Sequence, residues 1–184
     1  SSNSTLEEQG PRLSQDEIRE NLEIDSSKKI IFVPFQRPND TVIRYFAKEI
    51  GGFDGFLKLI TEINRKISIF NEEWIIVGKK HPLEVDNPDI NIKFAPDDMH
   101  IHDLIEISDI VLTINSGVGI LAMLFNKKVI CAGESFYAHE GLASTITDCL
   151  EFFNEIENED NALDYDKVLR FIYYLKNEFY SFGK

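Results

Sequence analysis

From Lys28 onward, short apolar runs alternate with stretches in which apolar residues recur every third or fourth position. The runs Ile30-Phe35, Trp74-Val77, Ile90-Phe94, Ile110-Ile114 and Val129-Ala132 predict strands. Between the first two, "GFDGFLKLITEINRKISIF" puts Phe53, Phe56, Leu57, Ile60, Ile63, Ile67 and Phe70 on one helical face. Further helices are predicted over Ile101–Ile107, Gly117–Phe125, near Ala143–Phe153 and near Leu163–Phe179. The last of these carries a stripe of Val168, Ile172, Leu175 and Phe179. Strands alternating with helices predict an open, mainly parallel α/β sheet with helices on both faces, spanning 28–184. Residues 1–27 are polar and read as an arm or linker. Only Ser14–Leu22 looks helical there, with Ser14 as N-cap and Glu17 as its capping-box partner.

Composition narrows the class. A chain of 184 residues with 14 Phe and 6 Tyr can bury a substantial aromatic core. The formal charge of −13 argues against a nucleic-acid partner, because the densest basic groups are short pairs such as Lys28-Lys29, Lys79-Lys80 and Lys127-Lys128. Cys131 and Cys149 have neither metal-ligand nor disulfide-framework spacing, which fits a reducing cytosol. No apolar run reaches the length of a membrane span, and "SSNSTLEEQG" has no signal-peptide core. The first residue is not Met, so a piece of a longer chain is expected.

Open parallel sheets bind ligands beyond the carboxyl ends of their strands, so the residues just after each strand carry the functional signal. The first strand ends in "PFQRPND", which offers Gln36, Arg37 and Asp40; a plain turn with Asp40 capping the next helix is the competing reading. The second ends in "VGKKHP". Lys79 and His81 can donate to a phosphate or carboxylate, and Pro82 holds His81 extended, although a turn also fits. The fourth ends in "TINSGVGI", where Asn115, Ser116 and Gly117 meet a helix N-terminus suited to an anion, or where Asn115 or Ser116 caps that helix. It is neither the GxGxxG fingerprint nor a P-loop. Glu134, Tyr137, His139 and Gly141 crowd the loop after the fifth strand. The H-x-H of "MHIHDL" reads first as a polar loop and helix cap, and only secondarily as a metal site.

In this order, "FVPFQRPNDTVI", "VGKKHP" and "DIVLTINSGVGILAMLFNKKVICAGESFYAHEGLA" resemble the C-terminal half of the capsule polysaccharide biosynthesis family, the retaining β-Kdo glycosyltransferases. The resemblance covers roughly Ile30 to Ala143. It implies a GT-B fold of two facing Rossmann-like domains, of which this chain supplies the one that binds the CMP-Kdo donor. It makes His81-Pro82, with Lys79 beside it, similar to the family's His-Pro motif at the nucleotide. Asn115, Ser116 and Gly117 would lie against the phosphate, with Glu134 and Tyr137 also at the donor. The pair Gln36 and Asp40 looks like the family's Gln-x-x-x-Asp motif at the sugar, with Asp40 as candidate nucleophile.

The chain departs from the family at Gly119-Ile120-Leu121-Ala122, where Leu121 stands at the position of a carboxylate expected to hold ribose hydroxyls. Asn126 and Lys128 also replace the usual Gly and Pro of the following turn.

The resemblance implies donor-half transfer of Kdo to a bacterial surface polysaccharide, with retention, through a covalent Asp–sugar intermediate and without metal or other cofactor. The partners implied are the nucleotide-sugar donor, a glycan acceptor and a second Rossmann-like domain or partner chain. The location implied is cytoplasmic, or peripheral at the inner face of the inner membrane. Two alternatives remain: a transferase of another nucleotide-sugar, such as CMP-sialic acid or a UDP-sugar, and a GT-B-like domain that binds a nucleotide or partner without turnover.

Overall fold

The computed structural model describes residues 10–158 and 162–182. The described elements are α1 (Gln15–Leu22), β1 (Lys29–Pro34), α2 (Thr41–Phe46), α3 (Gly52–Phe70), β2 (Trp74–Lys79), β3 (Lys93–Phe94) and α4 (Ile101–Ile107). They continue with β4 (Ile110–Thr113), α5 (Gly117–Leu124), β5 (Lys128–Ala132), β6 (Ser144–Ile146), α6 (Cys149–Glu157) and α7 (Tyr165–Phe182). A 3-10 turn at Lys48–Ile50 joins α2 to α3. The six strands form one sheet in the order β3-β2-β1-β4-β5-β6, with every pair parallel.

Successive strand residues point to opposite faces, and both faces are covered. Ile30, Phe32, Val77, Val111, Val129 and Cys131 share one apolar cluster with Leu104 of α4, Ala122 and Met123 of α5 and Val168 of α7. Ile31, Val33, Ile76, Leu112, Ile130 and Ile146 share the other with Ile43 of α2, Ile60 and Ile63 of α3 and Phe152 of α6. The chain is thus the expected Rossmann-like α/β layer structure. Strand order reverses between β1 and β4, so the loops leaving these two strands diverge and open a crevice between them.

The differences from expectation have local causes. "STI" forms the edge strand β6 where a helix is expected, because three residues are too few to display a period; Asp148 then caps α6 by accepting from the Glu151 N–H at 2.8 Å. β3 is shorter than its apolar run because the backbone turns at Pro88, whose carbonyl accepts from the Ile90 N–H. Phe70, the last residue of α3, is 76% exposed and not on the buried face that its spacing predicts. In the terminal stripe Val168 is buried, while the Phe179 side chain lies outside the described residues.

The described part of the arm packs on the domain. Ile18 and Leu22 of α1 and the following Ile24 are buried in the same cluster as the sheet. Ser14 caps α1 through Glu17 N–H, while Glu17 accepts from the Ser14 hydroxyl rather than from its backbone. Just before it, Arg12 pairs with the buried Asp103 and with Glu106 of α4, and Leu13 N–H donates to Asp103 at 2.8 Å.

Candidate functional site

A cleft of about 630 Å³ opens at the carboxyl ends of β1, β2 and β4, at the point where the strand order reverses. Its floor is Phe35, buried among Phe53, Phe56 and Phe94 with ring centroids 6.4, 6.0 and 5.9 Å away. That aromatic packing fixes the end of β1 and so aims the loop beyond it. Gln36 and Asp40 line the cleft from this loop. Asp40 stands immediately before α2, its carbonyl accepting the Arg44 N–H and its own N–H donating to Arg37. Arg37 itself is not in the lining: its guanidinium bonds Glu84 at 3.0 Å, tying the loop after β1 to the loop after β2.

The opposite wall is basic. Lys79 ends β2, is buried, and donates its ammonium to the Met99 carbonyl at 2.5 Å. Burial pulls its pKa below the usual lysine value, against the opposing pull of Asp97 and Asp98. Lys80 pairs with Asp97 at 2.9 Å. His81 Nδ1 accepts from the Leu83 N–H at 3.1 Å, so a neutral ring carries its proton on Nε2 as a donor. Burial, and next the charge of Arg37, lower the His81 pKa below its ordinary value, while Glu84 and Asp40 oppose this. Pro82 completes this wall.

The end of the cleft is the N-terminus of α5, through Ser116, Gly117 and Val118. Ser116 caps the helix, its Oγ accepting from Val118 N–H at 3.1 Å. A Cβ added at Gly117 would meet no protein atom within 4 Å, so no packing demands a glycine here. Its missing side chain keeps the cleft open beside the helix end, where backbone donors and the helix dipole favour an anion.

Three expected ligand contacts act from behind or elsewhere. Tyr137 is fully buried, and its hydroxyl donates to the Ser116 carbonyl at 2.8 Å. Asn115, at φ 34°, uses its side-chain oxygen to accept from the Ser135 hydroxyl at 2.8 Å. Glu134 faces a separate hollow. The loop after β5 therefore braces the serine turn. Conversely, Asp97, Asp98 and Ile101 line the cleft although sequence reasoning did not select them; they follow β3, and applying the post-strand rule to that strand points to them. His100 caps α4, its Nδ1 accepting from the His102 N–H. Among the described residues no three His, Cys, Asp or Glu side chains gather as a metal site.

The family model of capsule polysaccharide biosynthesis proteins matches residues 7–180. The chain belongs to this family. Protein FixF of Sinorhizobium fredii, strain NBRC 101917 / NGR234, is 31% identical over 120 residues, covering 62% of this chain and 29% of FixF. Among solved structures, the KpsC β-Kdo 2,7 transferase of Thermosulfurimonas dismutans is 26% identical at a TM-score of 0.52, covering 79% of this chain and 47% of that one. The wall teichoic acid polymerase TagF shares the fold at 18% identity and a TM-score of 0.53, covering 86% of this chain and 42% of that one. The chain thus spans about half the length of the solved transferase chains it matches. Among the described residues, no helix of this family member is long and apolar enough to cross a membrane.

Proposed function

We propose that this chain is the donor-binding half of a glycosyltransferase that moves Kdo from CMP-β-Kdo to a surface polysaccharide with retention. The observation carrying the reading is the convergence of Gln36, Asp40, Lys79, His81, Pro82, Ser116 and Gly117 on one cleft. The 26% identity to a KpsC β-Kdo 2,7 transferase supports the choice of sugar.

The chemistry follows from the two walls. Asp40 attacks the anomeric carbon; a carboxylate–sugar bond forms as the bond to the CMP phosphate oxygen breaks, and CMP leaves with the electron pair. The acceptor hydroxyl then displaces Asp40 from the opposite face and passes its proton to solvent water, so two inversions give retention. Positive charge growing on the sugar is stabilised by Asp40, and negative charge on the departing phosphate by the α5 N-terminus, Lys79 and the Nε2–H of His81. A monophosphate leaving group needs no metal when fixed donors surround it. The acceptor side of the cleft requires a second Rossmann-like domain or partner chain, consistent with the fraction of each transferase that this chain covers. The location that goes with this reading is the cytoplasm, or the inner face of the inner membrane.

Leu121 favours a second reading, in which another nucleotide-sugar is the donor or the domain binds without turnover. It lies one turn after Gly117 and presents an apolar surface where a ribose-binding carboxylate is expected. Calorimetry with CMP, CDP and UDP separates these. CMP binding that His81→Ala abolishes supports the Kdo reading, preferential UDP binding supports another donor, and no nucleotide binding at all rules out the donor half.

A further inference from the structure

A second recess lies beside the cleft. It is a shallow hollow of about 410 Å³, walled by Phe46 at the end of α2 and Phe136 in the loop after β5, with Glu134, Ser135 and Thr145 as its polar lining. Phe136 is 47% exposed. Tyr45, 71% exposed, extends the aromatic surface edge-on to Phe46 at a ring separation of 5.0 Å.

The hollow is built and held. Gly133, at φ 91°, allows the loop after β5 to approach α2 so closely that any Cβ there would collide with the Phe46 carbonyl. The next N–H, from Glu134, donates to that same carbonyl at 3.0 Å. Ser135, in the lining of the hollow, donates its hydroxyl to the Asn115 side-chain oxygen, and Asn115 directly precedes Ser116 and Gly117 of the cleft. Helix α2 links the two recesses: Asp40 sits in the cleft at its start and Phe46 in the hollow at its end. Six helical residues span about 9 Å, the reach of a short oligosaccharide.

We propose that this hollow is a subsite for a neutral sugar ring of the acceptor glycan, an inference that rests on the glycosyltransferase reading. Aromatic faces pack against the C–H surface of a pyranose, and a carboxylate with two hydroxyls accepts from and donates to its hydroxyl rim. The charge of the lining decides between ligands. The cleft sets Lys79, Lys80 and His81 beside Asp40, Asp97 and Asp98, whereas none of the described residues lining the hollow is basic and Glu134 is acidic. A phosphate or an acidic sugar such as Kdo is therefore repelled from the hollow, and an uncharged ring is accepted.

Saturation-transfer NMR on the 184-residue chain tests this with methyl β-galactoside and methyl β-N-acetylglucosaminide as neutral probes and Kdo as the acidic one. A neutral probe should receive saturation that Phe136→Leu cuts at least fivefold with CMP calorimetry unchanged, whereas any transfer to Kdo, which the donor cleft also takes, should be the same in Phe136→Leu. Glu134→Gln, which keeps shape, should add a transfer to Kdo at the hollow, above that of the parent chain. Loss of the signal in Phe136→Leu together with loss of its fold would leave Glu134→Gln to decide. No transfer to either neutral probe, a Kdo transfer that falls with the neutral signal in a folded Phe136→Leu, or an undiminished neutral signal in Phe136→Leu overturns the proposal. A failure of CMP to bind overturns the donor reading instead; a neutral sugar that still binds then leaves the hollow standing as a sugar site.

Discussion

The hydroxyl of Tyr137 donates to the carbonyl of Ser116 at 2.8 Å, and the same hydroxyl lies where a Cβ on Gly119 would fall, 2.5 Å away. The first turn of α5 is thus held from beneath by a buried phenol that only a glycine can pass. Two effects are expected from this one contact. Tyr137→Phe removes a buried hydrogen bond and should cost about 1 kcal/mol in urea unfolding, with a several-fold weaker CMP affinity as the serine turn loosens. Gly119→Ala forces the ring aside and should cost about 1–3 kcal/mol. Combined, the two should cost less than their sum, because the missing hydroxyl makes room for the methyl. Additive losses would show that the two residues do not meet in this way.

Gly117 should behave in the opposite manner to Gly119. With no protein atom near its absent side chain, Gly117→Ala should leave the unfolding midpoint within about 1 kcal/mol of the parent, and the helix start even gains from alanine. Its new methyl projects into the cleft, so CMP affinity should fall about tenfold, or ~1.4 kcal/mol. Unchanged affinity by calorimetry would place the nucleotide elsewhere.

What was legible in the sequence follows from how the physics is distributed along it. Strands of a parallel sheet are buried on both faces, so β1, β2, β4 and β5 read as continuous apolar runs. β6 carries three residues at an edge and leaves no such trace. The post-strand rule found Gln36, Asp40, Lys79, His81, Ser116 and Gly117 because strand ends are visible. It could not tell which side of the serine turn Tyr137 approaches from, since that depends on how the loop after β5 folds back. Asp97 and Asp98 follow β3, whose end at Phe94 is also the end of its apolar run, so the post-strand rule reaches them as well. The docking of α1 escaped notice because Ile18 and Leu22 alone make its buried stripe.

The His81 ring should titrate below its ordinary value of 6.5, because burial, and then Arg37, favour the neutral form. The sign for stability is fixed by this direction. Above 6.5 the ring is neutral both folded and unfolded, and the contribution is complete. As pH falls through 6.5, the unfolded chain takes up the proton first, so stability declines toward the lower folded value. An NMR titration of the His81 Cε1–H should show the low midpoint, a rise in Arg37→Gln as the cation is removed, and a rise on adding CMP as a phosphate arrives. A free-chain midpoint at or above 6.5 would contradict the burial of this ring.

Leu121 provides the sharpest test of what lies over α5. It follows Gly117 by four residues, so the two share a helix face, and its half-buried side chain packs against the apolar cluster formed by α4, α5 and the sheet. Leu121→Glu should therefore cost stability, about 1–2 kcal/mol, as apolar contact is lost and a carboxylate is partly desolvated. If the ribose of CMP rests along this face, the new carboxylate accepts from its hydroxyls, and charge-assisted bonds of this kind should tighten CMP about tenfold. The gain should appear with CMP and vanish with 2′,3′-dideoxy-CMP, which separates a ribose contact from a general change in the helix. An equal gain with both nucleotides would assign the effect to the helix, and no gain with either would mean that the ribose is held away from α5, leaving the phosphate as the only part of the nucleotide that this helix binds.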